Sequence, residues 1–261
     1  MTSGEVRSRH ETKQQPLGEQ HLMAVVEYDG TRYRGFQIQR SLRTIQGEIE
    51  GALESVVGHP TRIVGAGRTD AGVHAKGQVV HFDVSWRHSV PDLHRALNAV
   101  LPKDISFVEL REAPPGFHAR YSARGREYVY TIFNRPVRSP LVARYAHHCP
   151  SQLDTGAMDR ACACLVGTHD FMPFGWPPRG ENTVRTVVRA ACRREGDFTY
   201  VEMEADAFLR RMVRRIVGNL LLVGRGEISV EEFARLLGLK DRRTPAVEAP
   251  ANGLCLVGVN Y

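Results

Sequence analysis

The chain predicts an α+β fold in two domains, each an antiparallel sheet with helices on one face, in the RRM or ferredoxin-like manner. Three observations predict it. In the first half, apolar residues recur at a spacing of two and then at helical spacing, in the order β-α-β-β-α-β. In the second half, a strand pair joined by a tight turn is followed by a long apolar-striped helix and a closing strand. Between the halves, Pro114, Pro115 and Gly116 punctuate the chain. The expected divisions are a disordered tail over 1–20, a first domain over 21–113 and a second over 114–261.

The elements follow in order. Residues 1–20 are polar, mixed in charge and without periodicity, which predicts disorder. Leu22 to Tyr28 reads as a buried strand. Ile45, Ile49, Leu53, Val56 and Val57 recur at helical spacing, with Thr44 near the N-cap position. Thr61 to Val64 reads as a short strand. From Gln78 to Val84 the residues Val80, Phe82 and Val84 alternate onto one face. A helix through Leu93, Leu97 and Val100 and a strand over Ile105 to Leu110 complete the first half. The second half offers a strand over Arg126 to Phe133 and a helix over Met158 to Val166. Strands over Val184 to Arg194 and Phe198 to Ala205 are joined at Glu195-Gly196-Asp197. A helix from Leu209 to Val223 is closed by Gly224, and a strand covers Leu254 to Val259.

Composition narrows the function class. The net charge of +6 and pI near 9.2 favour a polyanionic partner. Lysine stands only at 13, 76, 103 and 240, so 31 of the 35 basic residues are arginine, a skew that a GC-rich genome also produces. No apolar run approaches the ~20 residues of a membrane helix. The N-terminus lacks the apolar stretch of a secretory signal, so a cytoplasmic location is expected. The five cysteines, Cys149, Cys162, Cys164, Cys192 and Cys255, are odd in number and scattered, which argues against a disulfide framework. The spacing of His147, His148, Cys149, Cys162 and Cys164 matches no common zinc pattern, and Cys162 keeps step with Met158, Ala161 and Leu165 as a core residue.

Three stretches can carry chemistry. The first, Gly65-Ala66-Gly67-Arg68-Thr69-Asp70-Ala71-Gly72-Val73-His74-Ala75, lies between two predicted strands. Its glycines allow sharp bends, and Asp70 stands among small residues beside Arg68, whose charge favours an ionised, nucleophilic carboxylate. On composition alone, a turn in which Asp70 bonds its own backbone is the plainer reading. The loop lacks the third glycine of a dinucleotide fingerprint and the Gly-Lys-Ser/Thr of a P-loop. The second stretch runs from Phe117 to Tyr130. Tyr128, flanked by arginines, suits base stacking and equally suits a half-buried strand position. In the third, Asp206 to Asn219, a buried stripe through Leu209, Met212, Val213, Ile216, Val217 and Leu220 is crowded by Arg210, Arg211, Arg214 and Arg215. Like charges four apart repel along a helix, so these arginines call for phosphates or a buried carboxylate.

Taken together and in this order, the three stretches resemble the tRNA pseudouridine synthase A family. Gly67-Arg68-Thr69-Asp70-Ala71-Gly72-Val73-His74 is similar to its signature, with Asp70 at the nucleophile position. Gly77 to Phe82, Phe117-His118-Ala119-Arg120 with Tyr128, and Phe208 with Met212-Val213-Arg214 and Ile216-Val217-Gly218 match its further blocks. So do Gly253 to Val257 and the early Tyr28-Asp29-Gly30-Thr31 and Gly35-Phe36-Gln37, although the family usually has tryptophan where Phe36 stands. The likeness spans Leu22 to Tyr261, and Met172 to Glu181 departs from it. The resemblance implies the pseudouridine synthase fold, with two α+β domains meeting at a basic cleft, and a homodimer. It implies action on uridines on the 3′ side of the tRNA anticodon arm (positions 38, 39 and 40) with neither metal nor organic cofactor. It also implies that Asp70 is the nucleophile, that Tyr128 stacks on the uracil, that Arg68 holds the target phosphate or helps flip the nucleotide, and that Arg214 pairs with Asp70. Two rival readings are a non-catalytic RNA binder, which has no use for Asp70 beside phosphates, and a metal-dependent hydrolase, which needs more ligands near Asp70 than His74. A third, a synthase acting on other RNA sites, has the same motifs.

Overall fold

Both helices of the first half begin where the sequence offers an oxygen to an unpaired amide. Thr44 accepts from the N–H of Gly47 at 3.2 Å and starts α1 (Ile45–Val57), which ends at Gly58 in the left-handed region. Ser89 and Asp92 form a reciprocal capping box at the start of α2 (Val90–Val100), with Pro91 in its first turn. Each such cap stabilises its helix by about 1 kcal/mol. In this computed structural model, which describes residues 18–177, 180–239 and 247–261, the helices are set among the strands β1 (Gln20–Tyr28), β2 (Val64–Gly65), β3 (His74–Val84) and β4 (Ile105–Glu112). The β-α-β-β-α-β order is as the periodicity predicts. The tail expected over 1–20 falls outside the described residues up to residue 17, and Gln20 is already in β1.

The second half contains β5 (Gly125–Asn134), β6 (His147–Cys149), α3 (Thr155–Ala163), β7 (Gly167–Asp170), β8 (Val184–Glu195) and β9 (Phe198–Ala205). It closes with α4 (Met212–Gly224), α5 (Val230–Leu236) and β10 (Leu254–Asn260). The strands of both halves join one mixed sheet in the order β4-β1-β3-β10-β5-β9-β8-β7, with β2 beside β3 and β6 beside β5. The seam is β10. It runs parallel to β3, with Cys255 opposite His74, and antiparallel to β5, with Leu256 opposite Tyr128. The last strand thus brings the start of β3, where the aspartate loop ends, beside the strand that carries Tyr128.

One apolar core runs under both halves, from Leu22, Val26 and Phe82 to Tyr130, Met203 and Ile216. Cys162 is fully buried in it, as its helical step predicts. On the opposite face, Met23, Ala66, Val79 and Ala119 form a small second cluster. Several expectations change. The helix expected over Met158 to Val166 spans Thr155–Ala163, because Asp154 caps it, and the strand expected from Gln78 begins at His74. The last long helix starts at Met212 rather than Leu209, because Arg211 adopts a left-handed φ of 66° and Arg210 exchanges backbone hydrogen bonds with Trp176. Val100 ends α2 half-exposed instead of filling the core. The short strand expected over Thr61 to Val64 is Val64–Gly65, pinned by its pairing with His81 and Val80. Among the described residues no helix is long and apolar enough to cross a membrane.

Candidate active site

The loop from Ala66 to Val73 is held by hydrogen bonds at Ala66, Gly67, Thr69, Asp70 and Val73. Ala66 donates its N–H to Val79 at 2.8 Å, and the Gln78 amide donates to the Gly67 carbonyl at 3.0 Å. The N–H of Phe36 donates to the Thr69 carbonyl at 3.0 Å, and the Thr69 hydroxyl shares a buried 2.8 Å hydrogen bond with the Tyr28 hydroxyl. Val73 N–H closes back on the Asp70 carbonyl at 3.2 Å. Gly72, two residues after Asp70, has a φ of 80°, the conformation for which a tight turn selects glycine. Gly35 lies against the outside of this turn, where a Cβ would meet the Thr69 carbonyl oxygen at 2.8 Å. The turn therefore has little freedom, and Asp70 leaves it with a side chain 31% exposed. Such fixed placement is what a reacting group needs.

The cation beside Asp70 comes from the other half. Arg214, in the first turn of α4, places Nη1 3.7 Å from Asp70 Oδ2. Its Nε donates to the Ala249 carbonyl at 2.8 Å, and Nη1 lies 2.7 Å from Glu248 Oε1. Glu248 also receives Arg211 at 3.1 Å. Here is a carboxylate of the kind the arginine crowding calls for, and only Arg214 and Arg215 are inside the helix. Arg215 instead lies over the Trp176 ring, 3.9 Å from its centroid. Arg68, next to Asp70 in sequence, is exposed, so it is Arg214 that stands within ion-pair distance.

Tyr128 faces the core of β5 and is 9% exposed, its ring edge-on to Phe208 at 5.1 Å. Burial, with Tyr28 and Asp70 nearby, pushes its phenol up, so the hydroxyl is neutral at pH 7. The histidine of the loop motif plays a structural part. His74 Nδ1 accepts the Gly30 N–H at 3.1 Å, which leaves Nε2–H to donate to the Arg144 carbonyl at 3.1 Å. Burial lowers its pKa and keeps the ring neutral. With both nitrogens occupied, His74 is no base for Asp70.

Arg126, one of the arginines flanking Tyr128 in the second stretch, has a structural part that sequence reasoning did not assign. Its guanidinium donates to the carbonyls of Ala66 (3.0 Å), Arg120 (2.9 Å), Ala123 (3.4 Å) and Asp206 (2.7 Å). It therefore ties together all three stretches picked out by the sequence. Glu248, which pairs with Arg211 and Arg214, was also not singled out, and it lies in a segment with no periodicity to mark it. Among the described residues no group of three or more His, Cys, Asp or Glu side chains is placed to hold a metal ion. The arrangement offers one accessible carboxylate, one guanidinium close to it and a neutral aromatic ring from the adjoining strand. That set suits nucleophilic attack and stabilisation of a planar base more than hydrolysis.

A family model described as tRNA pseudouridine synthase matches residues 24–122 and 161–261. A protein of Roseiflexus sp. (strain RS-1) named tRNA pseudouridine synthase A is 44% identical over 240 residues, covering 90% of this chain and 88% of its own. Proteins of the same name from Chloroflexus aurantiacus (strain J-10-fl) and Thermoanaerobacter sp. (strain X514) are 44% and 40% identical. Each covers 92% of this chain, and the matches span 88% and 99% of their own lengths.

Proposed function

The chain belongs to the tRNA pseudouridine synthase family, whose members are isomerases, and we propose that it converts uridine to pseudouridine on the 3′ side of the tRNA anticodon arm, at positions 38, 39 and 40, with Asp70 as nucleophile. The observation that supports the assignment of Asp70 is its convergence with Arg214, carried by α4 of the other half, at 3.7 Å.

The chemistry asks for little more. The bond from ribose C1′ to uracil N1 breaks, the base turns, a bond forms from C1′ to C5, and the proton leaves C5 while N1 gains one. No electrons enter or leave. One carboxylate can begin this by attacking the base, by attacking the sugar or by taking a ribose proton. Arg214 supplies the nearby positive charge. Tyr128 stacks on the freed uracil and keeps it from diffusing away; a base–aromatic stack is worth about 1–3 kcal/mol. Exposed Arg68 takes the phosphate of the target nucleotide as it turns outward. A stem uridine must first unpair, at a cost of a few kcal/mol, which arginine–phosphate contacts offset.

A homodimer in the cytoplasm belongs to the same reading. Mapping pseudouridine in tRNA from cells with and without the gene tests it. Loss confined to positions 38–40 is expected, and unchanged modification there contradicts it.

A further inference from the structure

Gly218 faces the segment that returns to the sheet. A Cβ at this position would lie 1.6 Å from the Val247 carbonyl oxygen, so only glycine lets the chain cross α4 here. Two hydrogen bonds then fasten the crossing to Arg214. The Ala249 N–H donates to the Arg214 carbonyl at 3.0 Å, and Arg214 Nε donates to the Ala249 carbonyl at 2.8 Å. Glu248 is delivered between two guanidiniums, with Oε1 2.7 Å from Arg214 Nη1 and Oε2 3.1 Å from Arg211 Nη1. Its side chain is 21% exposed and that of Arg214 15% exposed, so the contact is only partly screened by water.

The geometry has a consequence for the neighbouring nucleophile. Arg214 Nη1 spends its short contact on Glu248 and stays 3.7 Å from Asp70, beyond hydrogen-bond reach. We infer that Glu248 is a positioning residue for the Asp70–Arg214 pair: it draws Nη1 of Arg214 onto itself and leaves the Asp70 carboxylate beside a cation without a direct hydrogen bond from it. The inference rests on the reading of Asp70 as nucleophile. A charge-assisted hydrogen bond on the attacking oxygen must be stretched or broken as the new bond forms, so it protects the ground state and slows the reaction. Without Glu248, the nearest carboxylate left to Nη1 is Asp70, and it closes on it. Glu248 also balances the local charge, since it faces both Arg211 and Arg214.

Single-turnover kinetics on tRNA, with affinity measured in parallel, test the inference. Glu248→Ala is expected to slow turnover about tenfold while tRNA binds as tightly as before or more tightly, because a negative charge has left an arginine-rich surface. Glu248→Gln keeps a carbonyl acceptor for Nη1 and is expected to restore most of the rate. In an Arg214→Ala background, Glu248→Ala should change turnover no further, because its partner has gone. Three results overturn the inference: wild-type turnover by Glu248→Ala, a fall in turnover matched by a fall in affinity, or an additive loss in the Arg214→Ala background. Thermal melting of each variant shows that a folded protein is compared. The wild-type arm separates the two readings, since a wild type that forms no pseudouridine contradicts the proposed function itself.

Discussion

Arg126 Nη2 donates to the Ala66 carbonyl at 3.0 Å, so the root of the aspartate loop is held by the strand that also carries Tyr128. The same guanidinium serves the carbonyls of Arg120, Ala123 and Asp206, and burial lowers its pKa, with Tyr261, Tyr128 and the Asp206 carboxylate opposing only in part. Lysine has no planar fork and cannot reach several carbonyls at once. Arg126→Lys should therefore cost roughly 2–4 kcal/mol, since partly buried acceptors lose a charged donor. Urea unfolding checks this, and a loss under about 0.5 kcal/mol would contradict it.

Gly35 makes a second, separate prediction about the loop. Its φ is 93°, and a Cβ would press on the Thr69 carbonyl at 2.8 Å, directly before Asp70. Gly35→Ala should destabilise the protein by about 1–3 kcal/mol through backbone strain. It should also lower turnover more than tRNA affinity, because the carboxylate is displaced. Gly51, inside α1 with open space around it, is the control. Gly51→Ala should be neutral or slightly stabilising, because alanine is the better helix former. Equal effects at the two glycines would remove the argument.

His81 ties stability to pH. Its Nδ1 accepts the Ala119 N–H at 3.1 Å, and the ring lies 4.7 Å from His118 and 5.2 Å from His21. Burial, with these two histidines nearby, pushes its pKa down to about 4, and Asp83 opposes only in part. The unfolded chain takes this proton first, near 6.5. The contribution of neutral His81 is therefore complete above pH 6.5 and is lost as pH falls toward 4. His21 has the opposite sign. Its hydrogen bond to Asp83 raises its pKa, so its contribution is present at low pH and lost as pH rises through that raised value. His81→Gln retains an acceptor for Ala119 and removes the titration. Urea midpoints for this variant should depend less on pH between 6.5 and 4 than those of the wild type, and identical slopes would count against the assignment.

Much of the fold is legible where a local rule acts alone. Thr44 announces α1 by capping it, and the Glu195-Gly196-Asp197 turn announces the β8–β9 hairpin with nearly its observed ends. Cys162 reads as core from its helical step alone. The short elements β6, β7 and α5 carry too few residues for periodicity, though the Ser229–Glu232 capping box was a usable sign of α5. The seat of β10 between β3 and β5 depends on pairing across more than a hundred residues, which no local pattern encodes. Around the loop, the approach of Arg214 to Asp70 was legible through motif order. Arg126 and Glu248 were not, because their roles follow from backbone carbonyls and guanidiniums that only the folded chain brings together. Arg211, which helical spacing places on the flank of a helix, lies just before it for the same reason: the partner of Arg210 is the distant Trp176.

In the proposed function the Asp70 carboxylate starts the isomerisation. Each turnover must release the hydrogen on uracil C5, so tRNA carrying tritium at that carbon reports the reaction directly. Asp70→Asn keeps the side chain's shape and removes its charge, so it should bind tRNA and release no tritium, while wild type releases it in step with pseudouridine. Tyr128→Phe keeps the ring and, where stacking is its whole role, should retain measurable release. Full tritium release by Asp70→Asn would contradict the account.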